Sequence, residues 1–197
     1  MEKCLCLPLG AYQTNCYFVW EEGSKSCLII DPGYNPEVIT AQLEALGLSL
    51  GAILLTHGHF DHVGAVKALV AQANCPVYLH PEDTAMPEQM TAGKLYYSHP
   101  LQEGQTLSLC NLTVSVLHTP GHTPGSVCFA IGKHLFTGDT LFAGSCGRVD
   151  LPGGSWDTLQ QSLSRLKGLG QDYLVLPGHA EASTLGEEIR YNPYLRG

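Results

Sequence analysis

The sequence predicts an α/β sandwich, mixed sheets covered by helices. Two observations carry this. Short apolar runs of strand length recur along all 197 residues, and segments of helical spacing lie between them. No sequence repeat and no linker interrupts the pattern, so residues 1–197 read as a single domain. Hydrophobic residues make up 44% and charged residues 14%, an ordinary globular balance for a chain able to bury a core without disulfides.

The elements follow in order. "NCYFVW" and "SCLIID" flank the polar "EEGSK" and read as a hairpin. "DPGYNPEV" ends the strand and opens a helix, with Asn35 as N-cap, Pro36 at the first helical position and Gly47 just past the end. "GAILLT" is a continuous apolar run, the pattern of a fully buried strand. In "VGAVKALVAQA", Val63, Val66, Leu69 and Val70 fall at helical spacing, and "CPVYLH" is another strand. Residues 82–105 are the least regular part, a lid or a surface excursion. Beyond them, "LSLCNLTVSVLHT", "GSVCFAIG" and "HLFTGD" are strand candidates joined by tight turns. "SWDTLQQSLSRLKG" is an amphipathic helix capped by Ser155, with Gly168 near its end. "YLVLPGH" is a last buried strand, and "TLGEEIRYNP" carries a T-x-x-E capping pattern stopped by Pro193.

Bulk properties narrow the function. The net charge is −8 with 10 Lys plus Arg and no basic patch, which argues against nucleic acid as a partner. No apolar run reaches membrane-spanning length, and "MEKCLCLPLG" lacks the form of a signal peptide. The eight cysteines form no CxxC pair and most lie in apolar runs, as reduced buried thiols do. A cytoplasmic protein is the expectation. Cys146, in the Gly-rich "AGSCGR", reads as a loop residue that could line a pocket.

The chemistry concentrates in "ILLTHGHFDHVG", residues 53–64. A buried strand ends at Thr56, and His57, His59, Asp61 and His62 follow. Loops at strand ends carry sites. Residues two apart in an extended segment point the same way, so His57 and His59 suit one metal ion; Asp61 and His62, on the turn into a helix, can face a second. Clustered His and Asp are the ligand types of zinc and iron. His122 in "HTPGHTPGS", Asp139 in "LFTGDTLF" and His179 in "LVLPGHA" stand in equivalent turns after apolar strands. His80, His99, His118 and His134 lack that setting and read as structural or surface residues, His118 as the one nearest to supporting a ligand. Asp31 in "IIDPG" is either a turn residue or a hydrogen-bond acceptor behind a ligand histidine. Tyr96 and Tyr97 either cover a substrate or pack.

"THGHFDH", "TPGHTPGS", "FTGDTLF" and "LPGHA", in this order, resemble the metallo-β-lactamase superfamily. The resemblance implies a four-layered αββα sandwich. It implies His57, His59 and His122 on one metal, Asp61, His62 and His179 on another, and Asp139 bridging. "GDTLFAGSCGRVDLPGG" further resembles glyoxalase II, a hydroxyacylglutathione hydrolase, and its short single-domain relatives. Two-domain glyoxalase II has a helical domain after the last histidine; here 18 residues follow His179. The family's aromatic-rich stretch is replaced by "VDLPGG", while Arg148 remains as an anion contact for substrate. Poor handling of glutathione thioesters is therefore the expectation.

The implied cofactors are two divalent metal ions, zinc foremost, with iron or manganese as alternatives. Two metals about 3.5 to 4 Å apart can hold a hydroxide between them and polarise a carbonyl. Asp139 and Asp61 would be the catalytic carboxylates, Asp61 orienting the hydroxide. A small acyl thioester suits such a site because a thiolate leaves with little need for a general acid. No G-x-S-x-G elbow and no Walker A sequence is present. The main rival is a mononuclear iron persulfide dioxygenase, whose "GRxDF"-like stretch "GRVDLPGG" partly matches. A ribonuclease Z-type nuclease conflicts with the acidic charge, and a β-lactamase with the expected location. Oligomeric state has no signal in the sequence.

Overall fold

A computed structural model of the chain describes residues 1–196. It opens with β1 (Glu2–Leu9), β2 (Thr14–Glu21) and β3 (Ser26–Ile30), an antiparallel meander. Helix α1 (Pro36–Leu46) leads to β4 (Ser49–Leu54), which pairs parallel with β3. Next come α2 (Phe60–Val63), α3 (Val66–Ala73), β5 (Val77–Leu79) and β6 (His99–Pro100), the last two extending the sheet in parallel. A second sheet of equal size has the order β14-β13-β10-β9-β8-β7. Its strands are β7 (Thr106–Leu109), β8 (Leu112–His118), β9 (Val127–Ile131), β10 (His134–Gly138), β13 (Leu174–Pro177) and β14 (Ser183–Thr184). A small ribbon, β11 (Leu141–Phe142) with β12 (Ser145–Cys146), sits between β10 and α4 (Trp156–Lys167). Helix α5 (Leu185–Tyr191) closes the described chain.

The strand period of two builds the layers. On β3, Cys27 and Ile29 face α1 and α3, meeting Ile39, Leu43, Val66 and Leu69. Leu28 and Ile30 face the other way and meet Val114, Val116, Phe129 and Phe136 of the second sheet. On β10 and β13 the alternation repeats: Phe136 and Leu176 enter the space between the sheets, whereas Leu135 and Val175 pack on Leu159, Leu163 and Leu166 of α4. The result is helices, sheet, sheet, helices, the expected αββα sandwich. Each fully buried Leu, Ile or Phe contributes about 1.5–3 kcal/mol of transfer free energy, so this interleaving holds the sheets face to face.

Three local expectations are corrected. Asn35 stands at the N-cap of α1, but its side chain makes no capping bond and its backbone is left-handed (φ 52°). "LSLCNLTVSVLHT" is a hairpin, not one strand: Cys110 and Asn111 both take positive φ, 51° and 64°, and fold β7 onto β8. "VGAVKALVAQA" forms α3 only from Val66, with α2 ending at Val63. Ser155 and Thr184 cap their helices as expected, accepting from the N–H groups of Thr158 and Glu187.

The topology gathers chain exits. β3, β4, β8, β10 and β13 all run out at one end of the sandwich, into Asp31, "THGHFDH", His122, Asp139 and His179. Among the described residues, no helix is long and apolar enough to cross a membrane.

Candidate metal centre

The seven residues read as ligands from sequence converge at that end. His57, His59 and His122 form one group and Asp61, His62 and His179 another, each with one donor atom per residue lying within 4.8 Å of the others. His59 Nδ1 lies 2.9 Å from His122 Nε2. On the other side His179 Nε2 lies 3.1 Å from Asp61 Oδ2 and 3.4 Å from His62 Nε2. Asp139 stands between the groups: Oδ1 is 3.4 Å from His62 Nε2, and Oδ2 is 3.5 Å from His122 Nε2 and 3.6 Å from His179 Nε2.

The outward nitrogen of most of these rings is held, which leaves the inward one for the centre. Thr56 Oγ1 is 3.1 Å from His57 Nδ1, and the Arg148 carbonyl accepts from His122 Nδ1 at 2.7 Å. Asp31 Oδ2 is 2.9 Å from His62 Nδ1, and the Tyr12 carbonyl is 3.1 Å from His179 Nδ1. Asp31 is thus the acceptor behind a histidine, one of the two roles open from sequence. It also accepts from the Thr56 N–H and hydroxyl, at 2.8 and 2.6 Å.

These donors fit a metal centre. His57 Nε2 and Asp139 Oδ1 are buried yet have no hydrogen-bond partner among the described residues. Buried polar atoms are almost always paired, so orphans aimed at a shared space call for a ligand. A Cβ at Gly178 would overlap Asp139 Oδ1 and come 2.6 Å from His62 Cε1, so that glycine keeps the space clear. The electrostatics agree. Burial, then the neighbouring His62, His59 and His122, hold His57 well below the usual imidazole range, and burial with His122 lowers His59 to about 4. Both are neutral donors at pH 7. Burial opposes charge on His62, but Asp139 and Asp31 outweigh it and raise His62 to about 9. Asp61 is held low: burial opposes this, but the hydrogen bond from His179 and the His62 charge prevail.

Other side chains support the centre from a distance in sequence. The Thr14 hydroxyl donates to Asp61 Oδ2 at 3.1 Å. Asn15 Nδ2 donates to the carbonyls of Pro177 and Ala180, and the Tyr17 hydroxyl to that of Pro177, which fixes the turn carrying His179. Sequence reasoning did not find these three; their only signal is a polar pair, Thr14 and Asn15, opening an apolar strand. His118 Nε2 contacts the Pro124 carbonyl at 2.9 Å and its ring stacks on His80, so it braces the turn after His122.

A cavity of about 570 Å³ opens over the centre. Tyr12, Phe60, Met90, Phe142, Cys146 and Leu151 form its apolar wall. The irregular segment therefore reaches the site through Met90. Tyr96 is exposed, and Tyr97 packs beside the core under the helices. Burial pushes the Cys146 thiol up to about 11, so it stays protonated. Arg148 lines the cavity, but its Nε and Nη2 are bound to Asp150 Oδ1 and Oδ2 at 2.7 and 2.6 Å.

Comparison with known proteins bears on the family and the fold. Residues 9–179 match the family model of the metallo-beta-lactamase superfamily. The hydroxyacylglutathione hydrolase GloC of Haemophilus influenzae is 37% identical over 204 residues, covering 96% of this chain and 96% of that one. The crystal structure of the BLEG-1 B3 metallo-beta-lactamase superposes with a TM-score of 0.90 at 38% identity, over 99% of this chain and 100% of that chain. That of TTHA1623 in a di-iron-bound form gives 0.86 at 43%, over 97% and 100%. With its αββα layers and its His/Asp groups gathered at one end, the chain belongs to the metallo-beta-lactamase superfamily.

Proposed function

We propose that this chain is a binuclear metal-dependent hydrolase of acyl thioesters. His57, His59 and His122 would hold one ion and Asp61, His62 and His179 the other, with Asp139 available to both. The observation that carries the reading is the position of Asp139 between two complete donor groups. Bound divalent ions of this kind lower the pKa of water to about 7 and polarise a carbonyl. The chain's own residues orient the reaction. Asp61, held ionised, accepts from Thr14 and contacts His179, so its carboxylate is fixed at the edge of the reacting space. The wall of Tyr12, Phe60, Phe142 and Leu151 keeps water from an acyl group lying across it. Zinc is the ion proposed, and the di-iron relative makes iron the alternative to measure.

The similarity to GloC bears on the carrier thiol. That relative has the same span as this chain, so shortness alone is no argument against a glutathione thioester. A hydroxyacylglutathione is accordingly the first substrate to assay, beside small thioesters of neutral thiols. The BLEG-1 relative adds a β-lactam to the panel. The test is hydrolysis by zinc-loaded protein without oxygen, thiol release being followed by a chromogenic reagent. Turnover of a thioester under nitrogen supports the proposal. One iron per chain, with oxygen uptake only on adding a persulfide, would replace it with the dioxygenase reading.

A further inference from the structure

Asp83 is fully buried, although it lies in the stretch that is least regular in sequence. It stands on a 3-10 turn, Pro81–Ala85, outside the elements that carry the metal donors. Three donors close on its carboxylate. The Gly58 N–H donates to Oδ2 at 2.7 Å, the Thr123 hydroxyl to Oδ2 at 3.0 Å, and the Gly125 N–H to Oδ1 at 2.6 Å. Gly58 is the residue between His57 and His59, and Thr123 follows His122. A Cβ at Gly125 would come 2.6 Å from Asp83 Oδ1, so the backbone there passes flat against the carboxylate. A buried carboxylate normally has a cation or a ligand to justify its desolvation. Here it has backbone and hydroxyl donors from the two loops that carry one donor group.

We propose that Asp83 is the positioning residue of the His57/His59/His122 site, a single carboxylate that ties the loop of the first two histidines to the loop of the third. These loops are separated by more than a whole strand-helix-strand unit in sequence; at their base the Val127 N–H donates to the Thr56 carbonyl at 2.8 Å, but no backbone–backbone bond among the described residues joins Gly58 to residues 123–125. Asp83 adds a second tie at the level of the loops themselves, through Gly58, Thr123 and Gly125, beyond the strand ends where Val127 bonds Thr56. The other donor group, Asp61, His62 and His179, is held by Asp31, Thr14 and Asn15 instead. Asp83 thus acts on one site and leaves the other to its own supports. This rests on the proposed assignment of His57, His59 and His122 to one ion.

The test is zinc titration of metal-free protein, read by the imidazole nitrogen resonances of each histidine, with a competing chelator to set free zinc. In Asp83→Asn one oxygen acceptor is replaced by a donor that faces an N–H. The expected result is a 10- to 100-fold loss of affinity, on the order found when groups behind metal ligands are removed, reported by His57, His59 and His122 only. His62 and His179 should titrate within about threefold of wild type, by the same reasoning that their supports are untouched. Asp83→Glu should also weaken the site, because the extra methylene would drive the carboxylate into the Gly58 and Gly125 backbone that already lies against it. Thr123→Val, which removes one donor and keeps the carboxylate, should give a smaller loss at the same three histidines and decides the matter if neither Asp83 variant folds. Equal loss at all five histidines, or wild-type titration of the first three, would overturn the positioning role. Wild-type protein whose His57, His59 and His122 resonances do not respond to zinc would overturn the ligand assignment itself, a different failure.

Discussion

Asp31 Oδ2 lies 2.9 Å from His62 Nδ1, and the same carboxylate accepts from both the N–H and the hydroxyl of Thr56. One buried side chain therefore aligns a donor of one site and the strand exit that leads to the donors of the other. Asp31→Ala leaves those donors buried without a partner. The expected cost is about 3–5 kcal/mol in the metal-free protein, as for other buried pairs broken on one side. Urea denaturation measures it. A change below about 1 kcal/mol would mean that water replaces the carboxylate at no cost.

Asp139→Asn tests the bridging role. Its carboxylate touches both donor groups, Oδ1 lying near His62 and Oδ2 between His122 of one group and His179 of the other. An amide presents one acceptor and one donor, so it cannot serve both sides. Metal content measured after dialysis should fall from about two equivalents to one or fewer, and hydrolysis should be lost. Retention of both ions with full activity would rule out a bridge.

How far this site could be read in advance depended on how local its signals are. His57, His59, Asp61 and His62 sit within one loop, and His122, Asp139 and His179 each follow an apolar strand, so pattern alone marks them. Thr14 meets Asp61 across 47 positions, and Asp83 meets Thr123 across 40. Nothing in a single sequence encodes such a pairing; only the layered topology brings it about. The hairpin between β7 and β8 was hidden for another reason. Apolar residues alternate on both sides of Cys110 and Asn111 with only a one-residue change of phase between them, and the left-handed pair that reverses the chain lacks a glycine. The layers themselves were legible, because every strand run has the period that separates two buried faces.

The stability of the metal-free protein should peak near pH 6.5. His62 is raised to about 9 in the folded chain from an ordinary value of 6.5. Its contribution is full below that ordinary value and is lost as pH rises through about 9. His59 runs the other way: lowered to about 4, it favours folding above 6.5 and disfavours it progressively as pH falls. His57, also held low by burial and its neighbours, adds to the acid side. Melting temperatures of chelator-treated protein from pH 5 to 9 would show a maximum between the two limbs. A stability that rose steadily to pH 9 would contradict the His62 shift. Loading with zinc should release protons at pH 7, since His62 must give up its proton to become a donor.

The state of Arg148 sets a prediction about substrate charge. Among the residues lining the cavity it is the one Lys or Arg, and its guanidinium is bound on two atoms by Asp150. The pair is exposed at the rim, so a substrate anion would exchange one screened contact with the guanidinium for another and gain little by displacing the bidentate Asp150. Wild-type protein should therefore show little preference for a thioester with free carboxylates over a neutral one of similar shape. Asp150→Ala releases the guanidinium. The KM for the anionic thioester should fall by about two- to fivefold, in line with the small free energies of exposed pairs, while the KM for the neutral thioester stays constant. Arg148→Ala should remove that gain in the double variant. Added salt should shrink it as well, because the interaction lies in water. If the KM values for both thioesters moved together, the effect would come from the loop that carries His122 through the Arg148 carbonyl, and not from charge.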